Sequence, residues 1–297
     1  MPVASPYATQ LAAIPVVRRE ADVLGGRTAY WVYGPDDAAT TILAVHGFRG
    51  EHHGLEPVVA ALEDAIREGV RVVMPDLPGF GETPPIPGRR HDLEAYADWL
   101  GAFAAAVAPG AIVLGHSFGS IVAAAAVARG LATPRLVLIN PIGAPALEGP
   151  RGILTRLAIL YYWAGSRLPR PIGTWLLRNR LIVRVMSIAM AKTRDRALRA
   201  FIHDQHDRYF SLFADRDVLR DAFVTSVSHD VSEYAARIAA PTLLIAADRD
   251  DITPIEAERV LATRFPDARL VEIQGVGHLI HYEKPGEAAA AIRDFLA

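Results

Sequence analysis

Residues 112–120 read Ile112-Val113-Leu114-Gly115-His116-Ser117-Phe118-Gly119-Ser120, and an alanine-rich run follows at 121–128. A β-branched apolar run, a tight turn and a run with helical character form the setting in which G-x-S-x-G lifts a serine clear of the backbone as a nucleophile. Gly115 and Gly119 leave room where strand and helix nearly touch. Alone, the five-residue pattern is weak, because a plain strand-to-helix turn with a capping serine reads the same way. The rest of the chain decides between the two.

Outward from this stretch, short apolar runs recur. Residues 28–33, 41–45, 70–74, 111–114, 135–139, 242–246 and 269–273 read as strands. Their largely continuous apolar character suits a parallel sheet covered on both faces. Helical patterns lie between them at 57–68, 91–107 (with Asp92 near the start), 255–264 and 286–296, while residues 1–20 read as a featureless lead-in. Strands alternating with helices predict an α/β chain with a doubly wound, mostly parallel sheet. From 142 to 228 there is no short strand, only helix-like runs broken at Pro169-Arg170-Pro171 and near Lys192. The expected organisation is therefore a core of 1–141 and 229–297 with a helical insertion at 142–228. The loops after strands ending at Val45, Met74, Leu114, Ile139 and Ala246 share the carboxyl edge, where such sheets bind ligands.

Composition narrows the chemistry. The 297 residues contain no cysteine, which removes thiol catalysis, disulfides and thiolate metal sites and suits a reducing cytoplasm. The formal net charge of -2 gives no reason to expect nucleic acid as a partner. Residues 1–10 lack a basic stretch followed by an apolar run, so no signal peptide is expected. No apolar stretch is long enough for a transmembrane helix.

A serine hydroxyl needs a base to take its proton and a third group to orient the base. On a sheet of this kind the expected order is nucleophile, acid, histidine. The strand at 242–246 empties into Ala247-Asp248-Arg249-Asp250-Asp251-Ile252-Thr253-Pro254, where three aspartates compete. After the last strand comes Gly275-Val276-Gly277-His278-Leu279-Ile280-His281. His278, in the loop, is the better base; His281 reads as a surface or helix-approach residue. An oxyanion needs two backbone N–H donors aimed at one point. Phe118 follows the serine and Phe48 lies in His46-Gly47-Phe48 after the strand ending at Val45, so these two are the expected donors. His46 is expected to hold that loop by hydrogen bonding, and His52 and His53 read as surface loop residues.

With these residues placed, the chain closely resembles the α/β-hydrolase superfamily, of the cap-bearing, esterase- or lipase-like kind. The resemblance rests on His46-Gly47-Phe48, on Asp76-Leu77-Pro78-Gly79-Phe80-Gly81-Glu82-Thr83, on Gly115-His116-Ser117-Phe118-Gly119, on Asp248 through Pro254 and on Gly275-Val276-Gly277-His278. It implies a catalytic acid four residues before the loop proline, which selects Asp250. Asn140 follows the strand at which some members carry the acid and cannot serve, which again favours Asp250. The Asp76 loop is implied to be structural. A serine at 117 disfavours the haloalkane and epoxide chemistries that use aspartate there. Departures are Ala247 and Ser120, where glycine is commoner. The implied activity is hydrolysis of an apolar carboxylic ester through an acyl-enzyme, with Ser117, His278 and Asp250 as triad and no metal or cofactor required. Carbon–carbon bond hydrolysis of the meta-cleavage type, perhydrolysis or elimination with the same triad, and a non-catalytic ligand-binding relative are the alternatives. His46, His116, Trp163 and Leu279 are expected to line the substrate pocket.

Between Glu148 and Arg199 there are eleven Arg and Lys residues against two acidic ones, so the remainder of the chain carries about -11. Tyr161-Tyr162-Trp163, Trp175-Leu176-Leu177 and Leu181-Ile182-Val183 lie in the same span. Three readings stay open: a cap with a solvated basic face, a basic amphipathic lid in peripheral contact with an anionic membrane, or Arg recognition of an anionic acyl substrate.

Overall fold

The computed structural model describes residues 3–145 and 152–297. Glu148 and Arg151, which enter the charge count above, lie outside the described residues. One eight-stranded sheet runs through the molecule in the order β1-β2-β4-β3-β5-β6-β7-β8. Its strands are β1 (Val16–Val23), β2 (Gly26–Tyr33), β3 (Thr40–Val45), β4 (Val70–Pro75), β5 (Ile112–His116), β6 (Leu136–Ile139), β7 (Thr242–Ala247) and β8 (Ala268–Ile273). The β1–β2 and β2–β4 pairs are antiparallel, and all others are parallel.

Side chains alternate across each strand, so a fully apolar run feeds two cores at once. On β3, Leu43 and Val45 join one core and Ile42 and Ala44 the other. The first core is closed by α4 (Leu93–Val107) and α5 (Phe118–Ala128), the second by α2 (Glu56–Ala61), α3 (Glu63–Arg67) and α13 (Pro285–Leu296). Asp92 caps α4 by accepting the Ala95 N–H at 3.0 Å. α1 (Ala8–Ala12) precedes the sheet, α11 (Ile255–Ala262) links β7 to β8, and α12 (Ile280–Glu283) follows β8.

Residues 1–20 are not featureless, since they hold α1 and most of β1. β1 is an edge strand, exposed over most of its length and rich in charge, so it lacks the apolar signal of its neighbours. The run at 57–68 forms two short helices, interrupted at Leu62.

Between β6 and β7 the described residues form α6 (Gly152–Arg167), α7 (Arg170–Leu177), α8 (Arg180–Met190), α9 (Arg196–Tyr209) and α10 (Arg216–Ser228). This block is tied to the loop after β4 by the Phe80–Phe213 bridge, with Gly81 N–H donating to Leu212 O and Ala214 N–H to Gly79 O, both at 2.9 Å. It is tied to the loop after β3 by Arg49. That buried guanidinium donates to Phe210 O and Leu177 O at 2.8 Å each and to Tyr162 Oη at 3.2 Å. A buried cation held by carbonyls in this way is stable only while every donor stays partnered.

Candidate active site

β5 ends at His116 and α5 begins at Phe118, so the whole turn falls on Ser117, at φ 52° and ψ -119°. A non-glycine residue there is strained by about 1–3 kcal/mol and needs surroundings that hold it. Ser117 N–H donates to Ile139 O at 3.1 Å, and the Ser120 hydroxyl donates to Ser117 O while accepting from Ile142 N–H at 3.2 Å. The unusual Ser120 thus braces the turn.

His278, in the loop between β8 and α12, has Nε2 2.7 Å from Ser117 Oγ and Nδ1 2.8 Å from Asp250 Oδ2. Asp250 sits just past β7 and is buried. Burial pushes its pKa up, but the His278 imidazole and the N–H groups of Ile252 and Thr253 outweigh that, so the net shift is downward. An ionised Asp250 can only accept, which puts the proton on Nδ1 and leaves Nε2 as acceptor for the serine hydroxyl. Asn140 Nδ2 donates to the same Asp250 oxygen at 2.9 Å, while its Oδ1 accepts from Ile280 N–H at 3.3 Å. Asp250 Oδ1 accepts from Ile252 N–H at 2.7 Å and Thr253 N–H at 3.2 Å. The competing aspartates point elsewhere: Asp251 pairs with Lys192, and Asp248 accepts from Val276 N–H.

The loop after β3 lies directly over the serine. A Cβ on Gly47 would sit 3.2 Å from the Ser117 Cβ. Phe48 and Phe118 flank this approach, their rings 6.4 Å apart, and Phe48 also meets Tyr162 at 5.6 Å and Phe223 at 5.9 Å. Only tertiary packing brings Tyr162 and Phe223 to this loop, and Arg49, within the loop, meets its partners on the helical block by the same packing.

Several expectations are corrected. His46 does not line a pocket: it is buried, its Nε2 accepts from Leu77 N–H at 2.9 Å and its Nδ1 lies 2.9 Å from Gly47 O, so both nitrogens are spent joining two loops. Leu279 is sealed in a small core with Phe201, Ile202 and Tyr282. Trp163 is 55% exposed on α6, and its neighbour Tyr162 faces inward instead. His281 is buried, because α12 turns the chain back beneath the elbow and brings its ring 4.0 Å from that of His116. His52 is buried too, stacked on Trp31 with Nδ1 2.9 Å from Asp76 Oδ1. Asp76 also accepts from His52 N–H at 2.9 Å and Glu82 N–H at 2.8 Å, so it knits loops together.

Among the described residues, Glu51, His52 and His53 form the one group with a donor set for a metal ion. Its atoms are engaged with one another and with Asp76: His53 Nδ1 lies 2.6 Å from Glu51 Oε2 and His52 Nδ1 2.9 Å from Asp76 Oδ1. Hydrogen bonding accounts for the cluster.

His116 and His281 bear on the charge near Ser117. Burial, reinforced by His278, lowers the His116 pKa to about 3. Burial, with His116 adding to it, lowers that of His281 well below its ordinary value. A neutral pair adds no like charge against a positive charge forming on His278. The sign for stability follows. A histidine with a depressed folded pKa binds its proton more readily when unfolded, so its contribution is lost as pH falls below about 6.5. For His116 this amounts to about 2 kcal/mol at pH 5. Glu258, whose pKa burial and the nearby Asp250 raise, works in the opposite direction, so a melting curve would blur the two. The decisive readout is an NMR titration of the imidazole rings: His116 and His281 are expected to keep neutral-ring shifts down to pH 5, and a midpoint above pH 5 at either contradicts this.

An eight-stranded, mostly parallel sheet with a strained serine at the carboxyl edge of its fifth strand defines the class of α/β-fold hydrolases. The chain belongs to the Alpha/beta hydrolase family, whose model matches residues 42–292. It is 30% identical over 264 residues to a pimeloyl-[acyl-carrier protein] methyl ester esterase of Aromatoleum aromaticum, covering 85% of this chain and 96% of that protein. It is 28% identical to a 2-hydroxy-6-oxononadienedioate/2-hydroxy-6-oxononatrienedioate hydrolase of Pseudomonas putida, covering 88% of each chain. In fold it matches a putative lipase of Acinetobacter baumannii with a TM-score of 0.76 at 18% identity, over 100% of this chain and 97% of that one.

Proposed function

We propose that this hydrolase cleaves a carboxylic ester of an apolar substrate through an acyl-enzyme. The observation that carries the reading is the unbroken line from Asp250 Oδ2 through both His278 nitrogens to Ser117 Oγ, with steps of 2.8 and 2.7 Å. Ser117 attacks the ester carbonyl while His278 Nε2 takes its proton. Asp250, held by Asn140, keeps the imidazolium oriented and stabilised. Phe48 and Phe118 N–H groups receive the oxyanion; the approach of the loop after β3 to Ser117 supports this. His278 returns the proton to the leaving alcohol, and water, activated the same way, releases the acid. No step calls for a metal or organic cofactor.

In this reading residues 142–228 form a cap on a core of 1–141 and 229–297. Phe48, Tyr162 and Phe223 offer the acyl group an aromatic wall, in place of His46, Trp163 and Leu279. The named activities of the relatives support small ester or acyl substrates. The Pseudomonas putida relative supports carbon–carbon hydrolysis as the second reading, and an activity profile on esters and vinylogous diketones separates them. No helix among the described residues is long and apolar enough to cross a membrane.

A fluorophosphonate probe is expected to label Ser117 stoichiometrically, read by peptide mass spectrometry. Labelling at another serine, or none on a folded protein, removes the reading.

A further inference from the structure

We propose that the outer face of α6, α7 and α8 docks on an anionic lipid bilayer. This deepens the reading of 142–228 as a cap and is independent of the chemistry at Ser117. Large exposed apolar side chains are normal when scattered singly, and they mark a contact surface when they gather. Among the described residues, Leu157, Leu160, Trp163, Leu168, Ile172, Trp175, Leu181, Val185 and Ile188 are all exposed, more than half of the exposed large apolar residues of the chain. Exposure reaches 65% at Trp175 and 73% at Leu181. These are not misplaced core positions, because the same helices bury a different set inward: Tyr162, Leu177 and Val183. Each helix has a second apolar stripe at helical spacing, Ile172/Trp175 on α7 and Leu181/Val185/Ile188 on α8.

The stripes are held together. A Cβ on Gly173 would lie 2.1 Å from Gly165 O, so α6 and α7 touch backbone to backbone. Only Arg178-Asn179 separates α7 from α8. Two of the four tryptophans of the chain, Trp163 and Trp175, stand on this face, and the indole favours the boundary between headgroups and acyl chains.

Charge selects the occupant. Residues 152–190 contain six arginines and no acidic residue, while the rest of the chain is strongly acidic. Arg156, Arg167, Arg170 and Arg180 are exposed on these helices, Arg170 with Asp217 of α10 3.8 Å away, while Arg178 is engaged with Phe213. A second copy docking face to face would set these arginines against one another. An anionic headgroup layer meets them with opposite charge while its acyl region takes up the tryptophans and leucines.

The test is flotation with vesicles of phosphatidylcholine alone or with phosphatidylglycerol added, at low and high salt. The protein is expected to float with the anionic vesicles, weakly at high salt, and to stay unbound with phosphatidylcholine. Arg170→Gln with Arg180→Gln is expected to weaken binding about 30-fold, at about fivefold per arginine. Trp175→Ser with Leu181→Ser is expected to abolish flotation. Both variants change only exposed side chains, so circular dichroism and turnover of a short soluble ester should stay at wild-type level. That control separates failure of docking from failure of the catalytic reading. Absence of flotation with both lipids, equal flotation with both, or a solution dimer by light scattering that the Trp175→Ser/Leu181→Ser variant dissolves would each overturn the proposal.

Discussion

Ser117→Ala is expected to lower kcat on a short p-nitrophenyl ester by about 10^5-fold or more, with KM changed little. The size follows from what the hydroxyl does: without it there is no acyl-enzyme, and the 2.7 Å contact to His278 Nε2 is left with a methyl group. What survives is the faster attack of water that substrate binding and oxyanion donors still support, about 10^3- to 10^4-fold over solution. Losses at the other members should not add, because the three act as a unit. His278→Ala should equal the serine variant. Asp250→Asn should cost about 10^4-fold in kcat, since an amide can donate to Nδ1 and so favours the wrong tautomer. Ser117→Ala removes one oxygen from a turn held by backbone and Ser120 contacts, so folding should be unaffected. Initial rates on purified protein of matched circular dichroism settle the matter, and a Ser117→Ala variant retaining a tenth of wild-type kcat would end the triad reading.

The reasons some residues were legible and others were not are physical. Ser117 and Asp250 follow strands buried along their whole length, His278 follows the more exposed β8 with Arg269 and Glu272 in it, and all three share an edge because parallel strands end together. Order along the chain therefore carried spatial information. Arg49 carried none. A surface arginine and a guanidinium capped by three groups on the helical block look alike until the fold closes over them. In the sequence Asn140 reads only as a residue unable to be the acid, whereas its amide holds the acid that lies 110 positions away. The expected pocket residues fail for the converse reason: which way a side chain faces is set by packing and not by its place in the chain. Leu279 adjoins His278 yet faces the opposite way, into a core with Phe201 and Tyr282. The histidines at 52 and 281 show the limit of composition, since burial depends on partners, here Trp31, Asp76 and His116.

The elbow makes a second strong demand, on stability. Gly119→Ala adds one carbon that would lie 2.4 Å from Val45 O and 2.6 Å from His46 O. Neither carbonyl can yield cheaply. Val45 ends a central strand paired with β4 on one side and β5 on the other, and His46 is pinned between Leu77 and Gly47. Relief must come by lifting α5 from β3, which opens the core beneath Ile121 and Val122, or by unbending Ser117 from φ 52°. Overpacking of a core ordinarily costs about 1–3 kcal/mol, and a clash against fixed backbone belongs beyond that range, so a loss of about 4 kcal/mol is expected. Gly101→Ala is the matched control. Gly101 lies within α4, and a Cβ there meets nothing within 4 Å. Alanine at that position should stabilise by about 0.5–1 kcal/mol through helix propensity and a less free unfolded chain. Urea unfolding of the two variants beside wild type should move the midpoint in opposite directions. Should Gly119→Ala fail to accumulate as folded protein while Gly101→Ala purifies normally, the close contact is upheld; a Gly119→Ala midpoint equal to wild type would mean that α5 does not rest on the end of β3.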